Sequence, residues 1–141
     1  MANTVMTSFK KELMEGTHDL ATSGDTFKLA LYTSSSSINS AATTIYTVSD
    51  EVANSGTYAA GGGTLAGQTV TTDGTTAICN FTDLEFTSAT ITARYALIYN
   101  SSESNAAVCV LDFSTDQIST AGTFKIDFPA SGASTSIIRV A

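Results

Sequence analysis

The stretch T-I-T-A-R-Y-A-L-I-Y-N, residues 90–100, alternates polar and apolar side chains at its start and becomes apolar on both sides toward its end. Alternation with a period of two is typical of a β-strand, and β-branched and aromatic side chains favour extended backbone. A second run that is apolar on both faces, residues 106–113, follows a polar turn at 101–105. The two runs predict a central antiparallel hairpin.

Shorter apolar runs on either side of this hairpin predict the remaining strands. Asp73-Gly74 between two of these runs is a typical hairpin turn, and Pro129 ends another because proline cannot donate to a strand ladder. With the hairpin they give seven to nine short strands separated by polar turns. This pattern predicts an all-β fold, a two-sheet antiparallel sandwich of immunoglobulin-like or jelly-roll type. The shorter runs are residues 26–33, 45–48, 65–72, 75–81, 84–86, 124–128 and 137–140.

One segment near the N-terminus has helical periodicity instead. We expect a short helix from Asn3 to Gly16, capped at its start by Asn3 or Thr4 and ended by Gly16. Its apolar stripe is able to dock on the chain's own sheet or on a neighbouring chain. The chain is therefore predicted to be a single domain, 1–141, with an N-terminal helical arm and connector at 1–24 and a β-sandwich at 25–141. The stripe consists of Val5, Met6, Phe9 and Leu13.

The composition limits the classes of partner. The 141 residues include 24 Thr and 18 Ser, whereas charged residues make up 13% of the chain. The net charge of −7 repels phosphates and anionic lipids, so neither nucleic acid nor a membrane is an expected partner. The N-terminal segment lacks the long apolar run of a signal peptide, which predicts synthesis in a reducing cytoplasm. Short hydroxyl side chains lose little conformational entropy when ordered, which favours permanent assembly.

The sequence lacks a recognisable set of catalytic or metal-binding residues. The single histidine, His18, is expected to be solvated or to cap a helix, and no G-x-S-x-G elbow occurs. Cys79 and Cys109 are too few for a zinc site and are expected to be small buried hydrophobes. Asp112 follows an apolar run, so we expect Arg94 or backbone donors to satisfy it. These observations predict a protein that is not an enzyme and needs no cofactor or metal.

Several stretches taken together resemble a small virion protein of tailed bacteriophages, and the resemblance covers nearly the whole chain. Within that group the chain is most similar to the head decoration, or cement, proteins, whose fold is often a jelly-roll sandwich. No functional residue transfers from the family. The stretches are M-A-N-T-V-M-T-S-F-K-K-E-L-M-E-G at 1–16, T-F-K-L-A-L-Y-T-S at 26–34, S-A-T-I-T-A-R-Y-A-L-I-Y-N at 88–100, F-K-I-D-F-P at 124–129 and I-I-R-V-A at 137–141.

The resemblance implies a structural role on the virion. The protein would be made in the cytoplasm of a bacterial host and bind the outside of the capsid as a homodimer or homotrimer. There it would stabilise contacts between subunits of the major capsid protein. The helix stripe and the polar loop at 34–43 are the first candidates for the interface. The full set of interface candidates is Val5, Met6, Phe9, Leu13, Tyr32, Ile38, Ile45 and Tyr46.

Two other functions remain open from the sequence. The same composition would serve a tail, neck or fibre-associated virion subunit, for which we would expect rings of six or twelve copies. A carbohydrate-binding β-sandwich module is the second alternative, although the chain has no tryptophan for a sugar platform.

Overall fold

The computed structural model describes residues 3–141 and consists mainly of β-strands. Residues 1 and 2, the start of the predicted arm, lie outside the described residues. Strands account for 47% of the structure and helix for 6%, and the strands form two antiparallel sheets. The predicted class, an all-β sandwich of two antiparallel sheets with one short N-terminal helix, is confirmed.

Eight strands and one helix are ordered along residues 3–141. A five-stranded sheet has the order β1-β7-β6-β2-β3, and a three-stranded sheet has the order β4-β5-β8. The elements are β1 (Thr4–Val5), α1 (Thr7–Met14), β2 (Phe27–Tyr32), β3 (Gly63–Thr64), β4 (Thr69–Asp73), β5 (Thr76–Asn80), β6 (Leu84–Asn100), β7 (Ala106–Ile126) and β8 (Ile138–Val140).

The predicted central hairpin exists, and it is longer than the sequence indicated. The runs at 84–86 and 90–100 belong to one strand, β6, and the runs at 106–113 and 124–128 contribute to one strand, β7. Asn100 pairs with Ala106 beside the turn, and Leu84 pairs with Ile126 at the far end. The hairpin therefore provides the two central strands of the large sheet and extends well beyond their buried portions.

Bulges bend this hairpin strongly. Its register shifts at several points, and Ser88, Ser114 and Ala121, at or beside these shifts, have φ values of 52°, 68° and 45°. A bulge adds an unpaired residue and increases the local twist and bend of a strand. The rings of Phe113 and Phe124 lie 6.4 Å apart, whereas a straight strand of that length would separate them by roughly 36 Å. β7 therefore turns back on itself.

The core lies between the two sheets and on both faces of the central strands. All residues of β2 except Lys28 are buried, because Ala30 and Tyr32 are covered as well as the alternate positions Phe27, Leu29 and Leu31. The small sheet contributes Ile78, Cys79 and Ile138 to the buried set. Burial on both faces means that covering segments must lie outside the large sheet, and these segments form the candidate site described below.

The N-terminal segment differs from the prediction at its start and agrees with it at its end. Thr4 and Val5 form a strand on β7, and the helix begins after Met6 without a side-chain cap, so capping by Asn3 or Thr4 is wrong. Gly16, with φ 75°, donates its N–H to Leu13 O at 3.2 Å. The N–H of Thr17 donates a second bond to the carbonyl of Glu12, and the two bonds form a Schellman C-cap.

The structure also shows the conformation of the predicted strand at 45–48 and of the predicted turn at Asp73-Gly74. The run at 45–48 is a loop instead of a strand, with a single bridge between Ile45 and Ala106. The hairpin turn at Asp73-Gly74 is confirmed, because Asp73 pairs with Thr76 and Gly74 has φ 60°, a left-handed conformation that glycine adopts readily.

Candidate functional site

A loop at residues 44–48, which we call the anchored loop, lies beside the β6–β7 turn. Its backbone is fixed to the turn and to the start of β7 by two bonds: Tyr46 N–H donates to Asn105 O at 2.9 Å, and Ala107 N–H donates to Thr44 O at 3.0 Å. Tyr32 donates its hydroxyl to Thr47 O at 2.5 Å. The loop thus has irregular backbone that is held at several points along its length.

Glu51 holds the same region from inside the molecule. One carboxylate oxygen accepts the hydroxyl of Tyr46 at 2.6 Å. The other accepts the hydroxyl of Tyr58 at 2.7 Å and the N–H of Gly61 at 2.7 Å. Tyr99 stacks on Tyr46 with ring centroids 4.7 Å apart and donates its hydroxyl to the carbonyl of Gly61 at 2.7 Å. A partly buried carboxylate with three donors is well satisfied and fixes the geometry of its partners.

Burial keeps the tyrosines around Glu51 in their neutral, donating form. Loss of hydration raises the pKa of Tyr99 to about 12, and the charge of Glu51 raises it further in the same direction. Burial also raises the pKa of Tyr58, Tyr46 and Tyr32 above the ordinary range of a phenol, with Glu51 adding to each shift. The hydroxyls are therefore donors to the carboxylate and to backbone at every ordinary pH.

The anchored loop presents apolar side chains to solvent despite this rigid support. Ile45 is 51% exposed and Val48 is 67% exposed. Exposed aliphatic groups on a flexible loop would need to be ordered before they could bind a surface, at a cost in conformational entropy. Here most of that ordering is already built into the folded chain, so the loop is a preorganised apolar contact.

His18 lies in a buried polar network, so the expectation of a solvated or capping histidine is wrong. Its side chain is fully buried, and its Nε2 lies 2.8 Å from Glu12 Oε2. Asn100 donates its amide both to His18 Nδ1 at 2.9 Å and to Asp25 Oδ2 at 2.8 Å. Because Nδ1 accepts this bond, Nε2 carries the proton donated to Glu12. The network ties the connector after α1 to the end of β6.

Asp112 has the partners that the sequence predicted. Arg94 donates its Nε–H to Asp112 Oδ1 at 2.8 Å, and Ser114 donates its backbone N–H to the same oxygen at 2.8 Å. The hydrogen bond from Arg94 is the largest cause that holds the pKa of Asp112 well below its usual range. The carboxylate therefore stays charged and joins β7 to β6 next to the bulge at Ser114.

Both cysteines are free and buried, as the sequence predicted. Burial raises the pKa of the Cys79 thiol to about 11 and, with a small contribution from Cys79, that of Cys109 to about 12. A thiol in this state is a poor nucleophile because reactivity requires the thiolate. Cys79 and Cys109 therefore act as core side chains.

A cleft of about 660 Å³ opens between β7 and β8. Its charged groups are largely paired: Asp112 bonds to Arg94, and Lys125 lies 2.7 Å from Asp127 and 3.2 Å from Asp83. Arg139 has no carboxylate partner among residues 3–141 and donates a long bond of 3.4 Å to Ala133 O. The apolar part of the lining includes Phe113, Ile118, Phe124, Phe128 and Ile137.

The structure separates the eight interface candidates into three groups. Met6, Phe9, Tyr32 and Ile38 are buried in the core, and Ile38 is buried although it lies in the polar loop at 34–43. The apolar side of the helix thus docks on the chain's own sheet. Val5, Leu13 and Tyr46 are partly buried, and Ile45 is exposed.

Sequence reasoning missed Glu51. Its partners lie at positions 46, 58 and 61, and no spacing rule connects these positions with one another. The segment around Glu51 has no regular apolar period, which made it look like an unstructured connection. The one available signal was a tyrosine on either side of the acidic pair Asp50-Glu51.

In comparisons with family models, with curated proteins and with solved structures, nothing matches this chain. Within residues 3–141, no helix is long and apolar enough to cross a membrane. The same part of the chain contains no group of three or more His, Cys, Asp or Glu side chains arranged to hold a metal ion.

Proposed function

We propose that this chain is a non-enzymatic virion structural protein, a head decoration protein that binds the outer surface of a capsid. The anchored loop (residues 44–48) is its contact with the shell. The observation that carries this proposal is the combination of exposed Ile45 and Val48 with the dense internal support from Tyr46, Tyr99 and Glu51. Rigid support under an exposed apolar pair suits permanent docking.

The strength of such a contact follows from the two exposed side chains. Complete burial of an aliphatic side chain contributes about 1.5–3 kcal/mol, and both residues are already half-buried or less, so one loop supplies a modest contact. A shell repeats the same site many times, and a subunit that touches more than one shell protein gains from the high effective concentration of the second site. A weak contact repeated by symmetry is sufficient for decoration.

The histidine, the thiols and the buried carboxylate are engaged inside the fold, which supports an adhesive role. Both ring nitrogens of His18 are used in internal bonds, and the thiols of Cys79 and Cys109 are buried with raised pKa values. Asp112 is held by Arg94. These groups contribute to the fold, and we propose that the work of the protein lies in its surface.

The proposed partner is the lattice of the major capsid protein, and the proposed location is the capsid exterior after synthesis in the cytoplasm of a bacterial host. The net charge of −7 favours a protein partner over nucleic acid or an anionic membrane. The hydroxyl-rich composition fits a surface that is ordered permanently at low entropic cost.

Co-sedimentation with shells purified without this protein tests the proposal. The wild-type chain should bind shells saturably, and the I45K/V48K variant should bind at least tenfold more weakly, because two charges replace the apolar contact. V70K is the matched control, since Val70 is 49% exposed on β4, outside the anchored loop. Circular dichroism would verify that all three proteins are folded.

The same experiment separates the alternatives. Binding to isolated tails or necks instead of shells would favour the tail or neck alternative, and binding only to a glycan array would favour a carbohydrate-binding module. Failure of the wild-type chain to bind shells, or equal binding by I45K/V48K, contradicts the decoration site proposed here.

A further inference from the structure

One side of β7 is largely without a strand partner. β6 pairs with the inner side of β7 from Ala106 to Ile126, whereas β1 covers the outer side only at Cys109 and Val110. The anchored loop and the N–H of Met6 bond to the outer side near Ala107 and Val108. From residue 113 to residue 124, a segment that we call the open edge, no strand among residues 3–141 pairs with the outer side.

The open edge is also chemically unprotected. Its sequence is F-S-T-D-Q-I-S-T-A-G-T-F, with one charged residue, Asp116, and no lysine, arginine or proline. Residues 114–118 are all exposed, and Ile118 is 69% exposed. Monomeric β-proteins guard such edges with charged side chains, especially lysine, or with proline, because unpaired backbone is a template for another strand. This edge has neither lysine nor proline. Its bulges at Ser114 and Ala121 are a protective device, but residues 115–120 between them still have no strand partner on the outer side.

We propose that the open edge pairs with the open edge of a second copy of this chain, which makes an antiparallel, two-fold symmetric dimer. The occupant is a second copy because every copy presents the same unprotected edge, and an isologous contact needs only one self-complementary surface. The edge carries a single charged residue, so two copies that approach along it bring only one carboxylate from each side.

The symmetry restricts the register of this pairing. A two-fold axis through an antiparallel pair places the central residue opposite its own copy, so a register centred on Asp116 would oppose two carboxylates. A register centred on Gln117 avoids this and lies between the bulges at Ser114 and Ala121. Ile118 becomes covered in this register, which accounts for an exposed isoleucine in the middle of an otherwise polar segment.

The cleft beside the open edge supplies a second complementary feature. Ile118, Phe113 and Phe124 line both the open edge and the cleft, and Arg139 on β8 lines the same cleft. Arg139 has no carboxylate partner among the described residues. In the register centred on Gln117, Asp116 of the second copy lies opposite Ile118, which lines the same cleft as Arg139. The pairing therefore joins an apolar contact with opposite charges.

Sedimentation velocity on the pure chain between about 1 and 100 µM tests the dimer without any shell. The wild-type chain should sediment as a dimer at the upper concentration, and Ile118→Lys should raise the dissociation constant about 100-fold, since a dimer loses two isoleucines worth about tenfold each. Val70→Lys, an exposed aliphatic position on β4, should leave the constant unchanged. Both variants should retain the wild-type circular dichroism spectrum.

Hydrogen exchange identifies the edge directly. Amides in residues 113–118 should exchange slowly at 100 µM and quickly at 1 µM, while amides of β2 should not depend on concentration. A wild-type monomer at 100 µM, a trimer or ring, or a dimer that Ile118→Lys leaves intact would each overturn the pairing. The dimer does not rest on the decoration function: shells that bind a monomer would overturn only the dimer, and a dimer that ignores shells would overturn only the proposed function.

Discussion

Replacing Glu51 by alanine should destabilise the protein more than any other single change at a partly exposed carboxylate. Glu51 accepts two tyrosine hydroxyls and one backbone N–H. Hydrogen bonds to a charged group contribute about 1.5–3 kcal/mol each when a single bond is removed, and shared partners make the total less than the sum. We expect Glu51→Ala to lower the free energy of unfolding by about 3–5 kcal/mol.

Tyrosine-to-phenylalanine variants divide this loss among the partners. Tyr46→Phe removes one bond to the carboxylate and should cost about 1–2 kcal/mol. Tyr58→Phe should cost more, because the hydroxyl of Tyr58 also accepts the N–H of Leu31 at 2.8 Å. In the Glu51→Ala background, the hydroxyl of Tyr46 has already lost its acceptor, so removing this hydroxyl costs little more. The losses of stability in the double variant Tyr46→Phe/Glu51→Ala should therefore sum to less than the two single losses.

Urea unfolding followed by circular dichroism measures these values, and a change of 1 kcal/mol should correspond to roughly 3–4 °C in Tm for a chain of this size. Glu85→Ala is the matched control, since Glu85 is an exposed glutamate on β6 and should change stability by less than about 0.5 kcal/mol. A loss below about 1 kcal/mol for Glu51→Ala, or full additivity in the double variant, would refute the view that Glu51 organises this region.

Two further predictions concern titratable groups. Burial raises the thiol pKa values of Cys79 and Cys109 to about 11 and about 12. A thiol reagent at pH 8 should therefore modify both thiols of the native chain only at the rate of global unfolding, and should modify them quickly in denaturant. Rapid labelling of the native chain would contradict their burial. The folded-state pKa of Asp112 is lowered, so its stabilising effect is present above the ordinary aspartate pKa and is lost as the pH falls through the folded value. Asp112→Asn should therefore be less stable than wild type at pH 7 and should lose less stability than wild type between pH 5 and pH 2; parallel pH profiles in urea titrations would contradict the ion pair with Arg94.

The strand content of the fold could be predicted from the sequence because period-two alternation is a local signal. The runs at 90–100 and 106–113 have the same apolar character on both faces and are joined by a short polar turn. That arrangement predicts both the pairing and the central position. Gly16 likewise carries its own conformational signal, and it ended the helix as expected.

The continuity of the hairpin could not be predicted, because its bulges look like strand ends in the sequence. Ser88 and Ser114 are polar interruptions of the alternation, and Ala121 precedes a glycine; such positions usually mark turns. Whether the chain bulges or turns there depends on the strand opposite. The start of the helix was misjudged for a similar reason: Thr4 is a plausible cap, but pairing with β7 competes with capping and wins.

The buried polar groups were the hardest part of the site to predict. His18 looked like a surface residue because it follows a helix in a polar connector, and its burial depends on Asn100 and Asp25, which lie elsewhere in the chain. Glu51 was missed for the same reason. A network assembled from distant segments leaves no spacing in the sequence, whereas the pair of Asp112 and Arg94 could be predicted because adjacent strands of a hairpin bring them together.

The bend in the β6–β7 hairpin affects how long the folded state lasts. Beyond the bend, the chain leaving β7 is fixed to the small sheet: Asn80 donates its amide to Pro129 O at 2.7 Å, and the rings of Phe81 and Phe128 lie 5.9 Å apart. A small sheet depends on a packed hydrophobic face for its stability. Since the chain that leaves this hairpin is held on the small sheet, local opening of the small sheet requires loss of contacts with the large one. Resistance to proteases in both layers is then governed by the same global unfolding barrier.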